Sequence, residues 1–368
     1  MLKKFEVENF KGFKNKLVFD LTAREYEFNK SIVKNGIVNK AIIYGKNGIG
    51  KSNLGIALFD IISHLTDKQR IPINYIQNYI NLDSRDKYAK FTYVFQFDDD
   101  EITYSYSKAN MDYLIEETLV FNGKTVLSYN YFDTRKRFID KDLSKNLFVN
   151  LVDNRLSITK YLYNNTPTDN DSLLFKMMYF VDNMLWYRGL SEGNNYCGFT
   201  NGGASLIDTL YVFNKKDEFE DFLRENGINY KLSWKNVNGF HELMVDFEGG
   251  RSTPFVTIAS TGTMSLLLFF HWKTMSFNKV SLLFIDEFDA FFHYESAETI
   301  VRLLSKNKNF QTILTSHNTY LMKNELTRPD CCFIMTENKI ASLFNSTDKE
   351  IREAHNLEKM YTNGAFNE

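Results

Sequence analysis

The sequence predicts an α/β protein in two lobes: a mixed sheet around a phosphate-binding loop, an antiparallel meander, and a helical insertion between them. Three observations carry this. The apolar run Ala41-Ile42-Ile43-Tyr44 leads into Gly45-Lys46-Asn47-Gly48-Ile49-Gly50-Lys51-Ser52, and Asn53 to Phe59 continue with apolar residues at helical spacing, which reads as strand, glycine-rich turn and helix. A second apolar run over 280–285 ends in Asp286-Glu287. Between 90 and 131, four alternating stretches are separated by the turn signals Asp98-Asp99-Asp100, Ala109-Asn110 and Asn122-Gly123.

Taken in order, residues 4–10 and 16–21 alternate as two strands about a turn at Lys11-Gly12-Phe13, and a second hairpin is expected over 26–38. The loop helix should end near 64–66, followed by an irregular stretch to about 88. The meander strands are expected at 90–97, 101–107, 112–121 and 125–131. From 133 to 226 the pattern turns helical, with helices at 172–190 and 204–223 and a mobile Asn/Gly-rich loop at 191–203. Strands return at 230–234, 241–247 and 254–258. A helix at 263–275, the strand at 280–285, a helix at 295–306 and a strand at 311–314 follow. The end, 351–368, reads as charged and helical. This divides the chain into lobe I (1–132), a helical insertion (133–226), lobe II (227–345) and a tail (346–368).

Composition bounds the partners. The 368 residues are too many for one core, and 43% hydrophobic with 24% charged residues is an ordinary globular balance. A net charge of -2 offers no global attraction to nucleic acid or to an acidic membrane. Cys197, Cys331 and Cys332 have no metal-ligand spacing and the adjacent pair argues against a disulfide framework, so a reducing, cytoplasmic setting is expected. No apolar run is long enough to span a bilayer, and the amino terminus has no signal core. The best local basic patch is Thr134-Arg135-Lys136-Arg137-Phe138 with Lys141 and Lys145, where DNA or RNA contact competes with a solvated helix start.

The loop has the spacing G-x-x-x-x-G-K-[ST] of a P-loop nucleoside-triphosphatase. Glycines let backbone N–H groups curl around an anion, and the following helix aims its positive end at it. Gly45 to Asn53 are therefore the nucleotide-binding candidates, with Lys51 on the β- and γ-phosphates and Ser52 completing the Mg²⁺ shell. Asp286, at the tip of a neighbouring strand, is the candidate Mg²⁺ ligand, and Glu287 can polarise a water for in-line attack. His317, in Leu314-Thr315-Ser316-His317-Asn318, lies just past a strand end, where an imidazole can sense the γ-phosphate. Ala259-Ser260-Thr261-Gly262-Thr263 opens a helix and makes a second anion site. One chain has no use for two γ-phosphate sites, whereas two chains placed head to tail do.

The order of these motifs, from Asn9-Phe10-Lys11-Gly12-Phe13 through the phosphate loop, Ser260-Thr261-Gly262-Thr263, Asp286-Glu287 and Asp289 to Ser316-His317-Asn318, resembles the ABC-type ATPase heads of the SMC/RecF/OLD class. Asp286 to His293, the strand with Glu116-Glu117-Thr118-Leu119, and the tail from Asn356 to Phe366 are similar to coiled-coil-free bacterial ATPases linked to abortive infection and phage defence. The resemblance implies ATP and Mg²⁺ as cofactors, and a homodimer in which Ser260 and Gly262 touch the γ-phosphate held by the other copy. It implies that Asp289 reaches over the same interface and that Lys11 lies near the nucleotide. It further implies a separately encoded effector, such as a nuclease, and a phage protein as trigger. The glutamine with which such heads couple Mg²⁺ to the inserted domain has no clear counterpart among Gln69, Gln77 and Gln96, and Ser-Thr-Gly-Thr departs from the Leu-Ser-Gly-Gly of transporters. No second acidic cluster on strands follows His317; Asp348, Glu350 and Glu353 read as a solvated stretch. Two other functions stay open: a scaffold or sensor in which ATP is structural, and a RecF-like DNA-repair clamp.

Overall fold

The computed structural model describes residues 1–366 apart from 146, 148, 152, 168, 190–193, 200–204 and 238. Two seven-stranded sheets organise it. The first is antiparallel: Arg137–Ile139, Lys124–Asn130, Leu114–Phe121, Asp100–Lys108 and Ala89–Phe97 run as a meander to Leu2–Glu8 and Leu17–Asp20. The second has five parallel strands at its centre, in the order Met184–Arg188, Leu282–Asp286, Gln311–Ser316, Lys40–Tyr44 and Cys332–Met335. Tyr196–Gly198 and Ile340–Ser342 close its edges antiparallel.

The parallel strands are buried on both faces, as their continuous apolar runs require. Their alternate residues divide the interior in two. Ile43, Leu282, Phe284, Ile313 and Phe333 face the core shared with the antiparallel sheet. Ile42, Leu283, Ile285, Leu314 and Ile334 face a second core beneath the Thr261–Ser276 and Tyr294–Lys306 helices. The loop helix, Lys51–Leu58, packs close on the first face because Gly55 leaves room: a Cβ there would meet the Phe284 ring at 2.8 Å and Trp186 Nε1 at 2.9 Å.

The end of that helix is tied to the antiparallel sheet by a buried polar network. Lys108 Nζ, fully buried, donates to Asp60 Oδ1 at 2.8 Å and to Ser63 Oγ at 2.6 Å, and the Tyr79 and Tyr106 hydroxyls donate to the same carboxylate. Further along, buried Glu117 accepts from Tyr104, Tyr131, Ser157 and the Ile158 N–H. Each buried carboxylate is thus answered by several donors. This is what the acidic strand noted in the sequence does: Glu117 joins the meander to the Ile158–Asn165 helix.

Several expectations need correction. The stretch 172–190 is not one helix: Leu173–Asp182 is helical, but Met184–Arg188 is a strand of the central sheet, parallel to Leu282–Asp286. The stretch 133–226 is consequently not a helical unit alone, since it supplies part of the nucleotide-loop sheet. Apolar runs of about five residues read alike as buried strand or helix, which is why periodicity misassigned this one. The 204–223 helix is two, Leu206–Val212 and Lys216–Glu225, broken at Asn214 with φ 50°. Residues 254–258 turn helical over Phe255–Ile258 after a short strand, Ser252–Pro254. Among the described residues of the 351–368 stretch, only Leu357–Thr362 is helical. Most of the expected 191–203 loop lies outside the described residues; Tyr196–Gly198 within it is a strand. No helix among the described residues is long and apolar enough to cross a membrane.

Candidate functional site

The carboxyl ends of the parallel strands gather the sequence-predicted residues. Gly45 follows the Lys40–Tyr44 strand, Gly48 and Gly50 take left-handed φ of 78° and 108°, and the helix starts at Lys51. Lys51 Nζ donates back to Gly45 O at 2.6 Å and Lys46 O at 3.0 Å, folded over the loop where an anion would draw it out. Burial pushes the Lys51 ammonium down, while Asp286, Glu287 and Asp289 pull it up. A cleft of about 320 Å³ is lined by Asn47, Gly48, Gly50 to Asn53, Glu287, Ala290 and His317. Residues from three separate strand ends therefore share one opening.

Asp286 is fully buried at the tip of its strand. Thr315 donates its hydroxyl to Asp286 Oδ1 at 2.7 Å and accepts from the Glu287 N–H at 2.7 Å. Asp286 Oδ2 makes no hydrogen bond. Burial pushes the carboxyl up, and the nearby Ser52 and Thr315 hydroxyls and Arg188 pull it down. An orphaned carboxylate oxygen beside a hydroxyl, near the amino end of the Lys51–Leu58 helix, fits a hard divalent cation such as Mg²⁺. Glu287 has φ 50°, a conformation that swings its side chain off the strand line and into the cleft. No cluster of His, Cys, Asp and Glu able to hold a metal by itself occurs among the described residues.

Other predicted residues lie elsewhere. Ser260 caps the Thr261–Ser276 helix, its Oγ accepting from the Thr263 N–H at 3.1 Å, and Ser260 and Thr261 are exposed. Gly262 sits against the Phe291 carbonyl: a Cβ there would stand 2.7 Å from that oxygen. None of Ser260 to Thr263 lines the cleft. Asp289, expected to reach over a dimer interface, is instead buried in its own chain, where Ser316 Oγ donates to Asp289 Oδ2 at 2.7 Å. Its Oδ1 accepts no hydrogen bond from the described residues. Lys11 has left-handed φ and donates through Nζ to Gln77 O at 2.9 Å; it does not line the cleft, although the neighbouring Phe13 ring lies against Gly50. In the basic patch, Arg135 pairs with Asp133, and Arg137 is spent on the Asn130 and Tyr131 carbonyls and the Tyr129 ring.

Sequence reasoning missed Arg188. It ends the Met184–Arg188 strand directly opposite Asp286, donates through Nη2 to Glu287 Oε1 at 3.0 Å, and brings Nε within 3.7 Å of Asp286 Oδ2. Gln69, Gln77 and Gln96 make their contacts elsewhere: Gln69 O accepts from the Gly198 N–H, Gln77 O from Lys11, and Gln96 Nε2 donates to Asp98 O. Only recognition of the short strand 184–188 could have pointed to Arg188.

The family profile described as "AAA domain, putative AbiEii toxin, Type IV TA system" matches residues 40–147 and 201–323. Among solved structures, the chain is similar to an SMC head domain from Thermotoga maritima at 16% identity and TM-score 0.44, covering 93% of this chain and 98% of that one. An Smc head bound to the C-winged helix domain of ScpA matches at 15% identity and TM-score 0.47, over 93% and 97% of the two chains. An Smc head with an extended coiled coil, bound to the C-terminal domain of ScpA derived from Pyrococcus furiosus, matches at 14% and TM-score 0.46, over 94% and 97%. Comparison with curated proteins gives no match.

Proposed function

The chain belongs to the AAA-domain family of the AbiEii toxin type, matched over more than half of its 368 residues, and from that premise we propose that it binds ATP with Mg²⁺, hydrolyses it, and uses the cycle to open and close a head-to-tail homodimer. The observation that carries this reading is the cleft that brings Gly48, Lys51 and Ser52 together with Glu287 and His317.

In this reading the loop N–H groups and Lys51 hold the phosphates, with Lys51 leaving the Gly45 and Lys46 carbonyls for them. Ser52 and Asp286 would hold Mg²⁺, which would supply positive charge to the phosphates. Glu287 accepts the proton of the attacking water, and His317 holds the γ-phosphate from the far wall of the cleft. The exposed start of the Thr261–Ser276 helix, standing outside the cleft, is free to cap the nucleotide of a second copy through Ser260 and the N–H groups that follow. The dimer would control a separately encoded effector, such as a nuclease, in anti-phage defence of the abortive-infection type that the family description suggests. A phage protein would act as trigger.

Glu287→Gln tests the reading. The variant should keep ATP binding, lose turnover by at least about a hundredfold, and accumulate as an ATP-bound dimer seen by light scattering. Wild-type turnover in the variant would remove Glu287 as the base. A mass that stays monomeric with ATP would remove the dimer.

A further inference from the structure

Asp286 and Glu287 are two adjacent carboxylates at the end of a buried strand, and the structure must answer their charge with something before any ligand arrives. Lys51 feels their charge at a distance but makes no ion pair with them, because its ammonium is turned to the Gly45 and Lys46 carbonyls. Among the described residues, the cation paired with both carboxylates is Arg188. Its place is set by backbone, not by a flexible reach. The Met184–Arg188 strand pairs in parallel with Leu282–Asp286, so that Arg188 stands opposite Asp286, and the Gly189 N–H donates to Asp286 O at 3.1 Å.

The contact is uneven. Nη2 hydrogen-bonds Glu287 Oε1 at 3.0 Å, whereas Nε stands 3.7 Å from Asp286 Oδ2, close enough for attraction and too far for a hydrogen bond. Both that Nε and that Oδ2 are buried without hydrogen-bond partners. Two opposite, unsatisfied, buried groups face each other across a gap that a bridging water would close, and Oδ2 is the oxygen left open to a coordinating cation.

We propose that Arg188 is a positioning residue and internal counter-ion: it stands in for a divalent cation at the Asp286–Glu287 pair and, through its bond to Glu287 Oε1, leaves Oε2 presented to the cleft. The guanidinium is always charged and its planar fork fixes the carboxylate it binds. It therefore disfavours entry of a bare cation in the absence of nucleotide, because that would bring two positive groups to one carboxylate. Entry of a cation together with the anionic phosphates reverses this balance. The metal half of the proposal stands independently; the kinetic half rests on the ATPase reading above.

The test is a Mn²⁺ titration of the nucleotide-free, full-length protein by electron paramagnetic resonance, paired with steady-state ATPase kinetics. Arg188→Ala should bind Mn²⁺ about tenfold more tightly than wild type, and Arg188→Lys, which keeps a cation, should stay within about threefold. Arg188→Ala should lower kcat at least about tenfold while KM for ATP moves less than about threefold, with partial recovery in Arg188→Lys. A Mn²⁺ titration of Arg188→Ala that superposes on wild type overturns the counter-ion, and a tighter Mn²⁺ site with unchanged kcat overturns the positioning of Glu287. Arg188→Gln, closer in shape, carries the same expectations if the alanine variant does not fold. A wild type that hydrolyses no ATP defeats the ATPase reading and still leaves the Mn²⁺ comparison to be read.

Discussion

Thr315 Oγ1 lies 2.7 Å from Asp286 Oδ1 and also 2.7 Å from the Glu287 backbone nitrogen, so one hydroxyl from the neighbouring strand holds both members of the acidic pair. The hydroxyl donates to the carboxylate and accepts from the N–H. Thr315→Val keeps the shape and removes both bonds, leaving two buried polar groups unpaired. It should cost about 1–3 kcal/mol of stability and lower ATP turnover with little change in ATP affinity. Chemical denaturation and ATPase kinetics check this, and unchanged values for both would show that the bridge is incidental.

Lys51→Ala removes the ammonium now folded onto the Gly45 and Lys46 carbonyls. ATP affinity should fall at least about a hundredfold, measured by titration with a fluorescent ATP analogue. Because the folded-back ammonium is partly desolvated, the ligand-free variant should melt within a few degrees of wild type.

Lys40 gives a pH signature. Its Nζ is buried against the Phe310 carbonyl and Thr312 Oγ1, with no carboxylate partner among the described residues, and burial pulls its pKa down to about 7. Below pH 7 the folded state carries the full cost of a buried charge. Between pH 7 and the unfolded value near 10.4, the unfolded chain holds the proton and the folded chain does not, so this residue's contribution to stability rises with pH. The melting temperature of wild type relative to Lys40→Met should therefore rise from pH 7 to pH 9, by up to about 1.4 kcal/mol per pH unit expressed as stability. A pH-independent difference would show that Lys40 stays charged throughout.

Lys108 is the cation of the buried network at the end of the loop helix. Lys108→Met leaves Asp60 with only the Tyr79 and Tyr106 hydroxyls and should destabilise by about 3–5 kcal/mol. The double variant Asp60→Asn with Lys108→Met should recover part of that loss, because no unpaired charge remains. Denaturant midpoints of the two variants decide it.

Gly262→Ala places a methyl 2.7 Å from the Phe291 carbonyl oxygen. The helix start must shift, and with it Ser260. ATP binding to the isolated chain should be unaltered within about threefold, while ATP-dependent dimerisation should weaken at least about tenfold. Equal dimerisation of variant and wild type would detach this helix start from the interface.

Much of the site was legible because phosphate-loop chemistry is local. Gly45 to Ser52 must be consecutive for their N–H groups to surround one anion, and Asp286-Glu287 must end an apolar strand to stand at the sheet edge. Lone His317 could be placed only through the strand before it. Arg188 was not legible, since its meaning depends on a strand of five residues whose apolar pattern matches a helix equally well. The bond that Asp289 accepts from Ser316 was not legible for a related reason: it is set by packing, not by its neighbours in sequence. The strand Cys332–Met335, which flanks the loop strand, passed unnoticed between short polar segments.

By itself, then, the sequence determined a glycine-rich loop between a strand and a helix, a carboxylate pair at the end of a second strand and a helix start capped by Ser260. Each is a short-range pattern whose chemistry needs only neighbouring residues. The tertiary structure decided which groups complete them: Arg188 reaches Glu287 across a sequence gap of 99 residues, and Thr315 reaches Asp286 across 29. Pairings of that kind follow from strand order and register, which arise from burying both faces of one sheet at once and which no local stretch of sequence encodes.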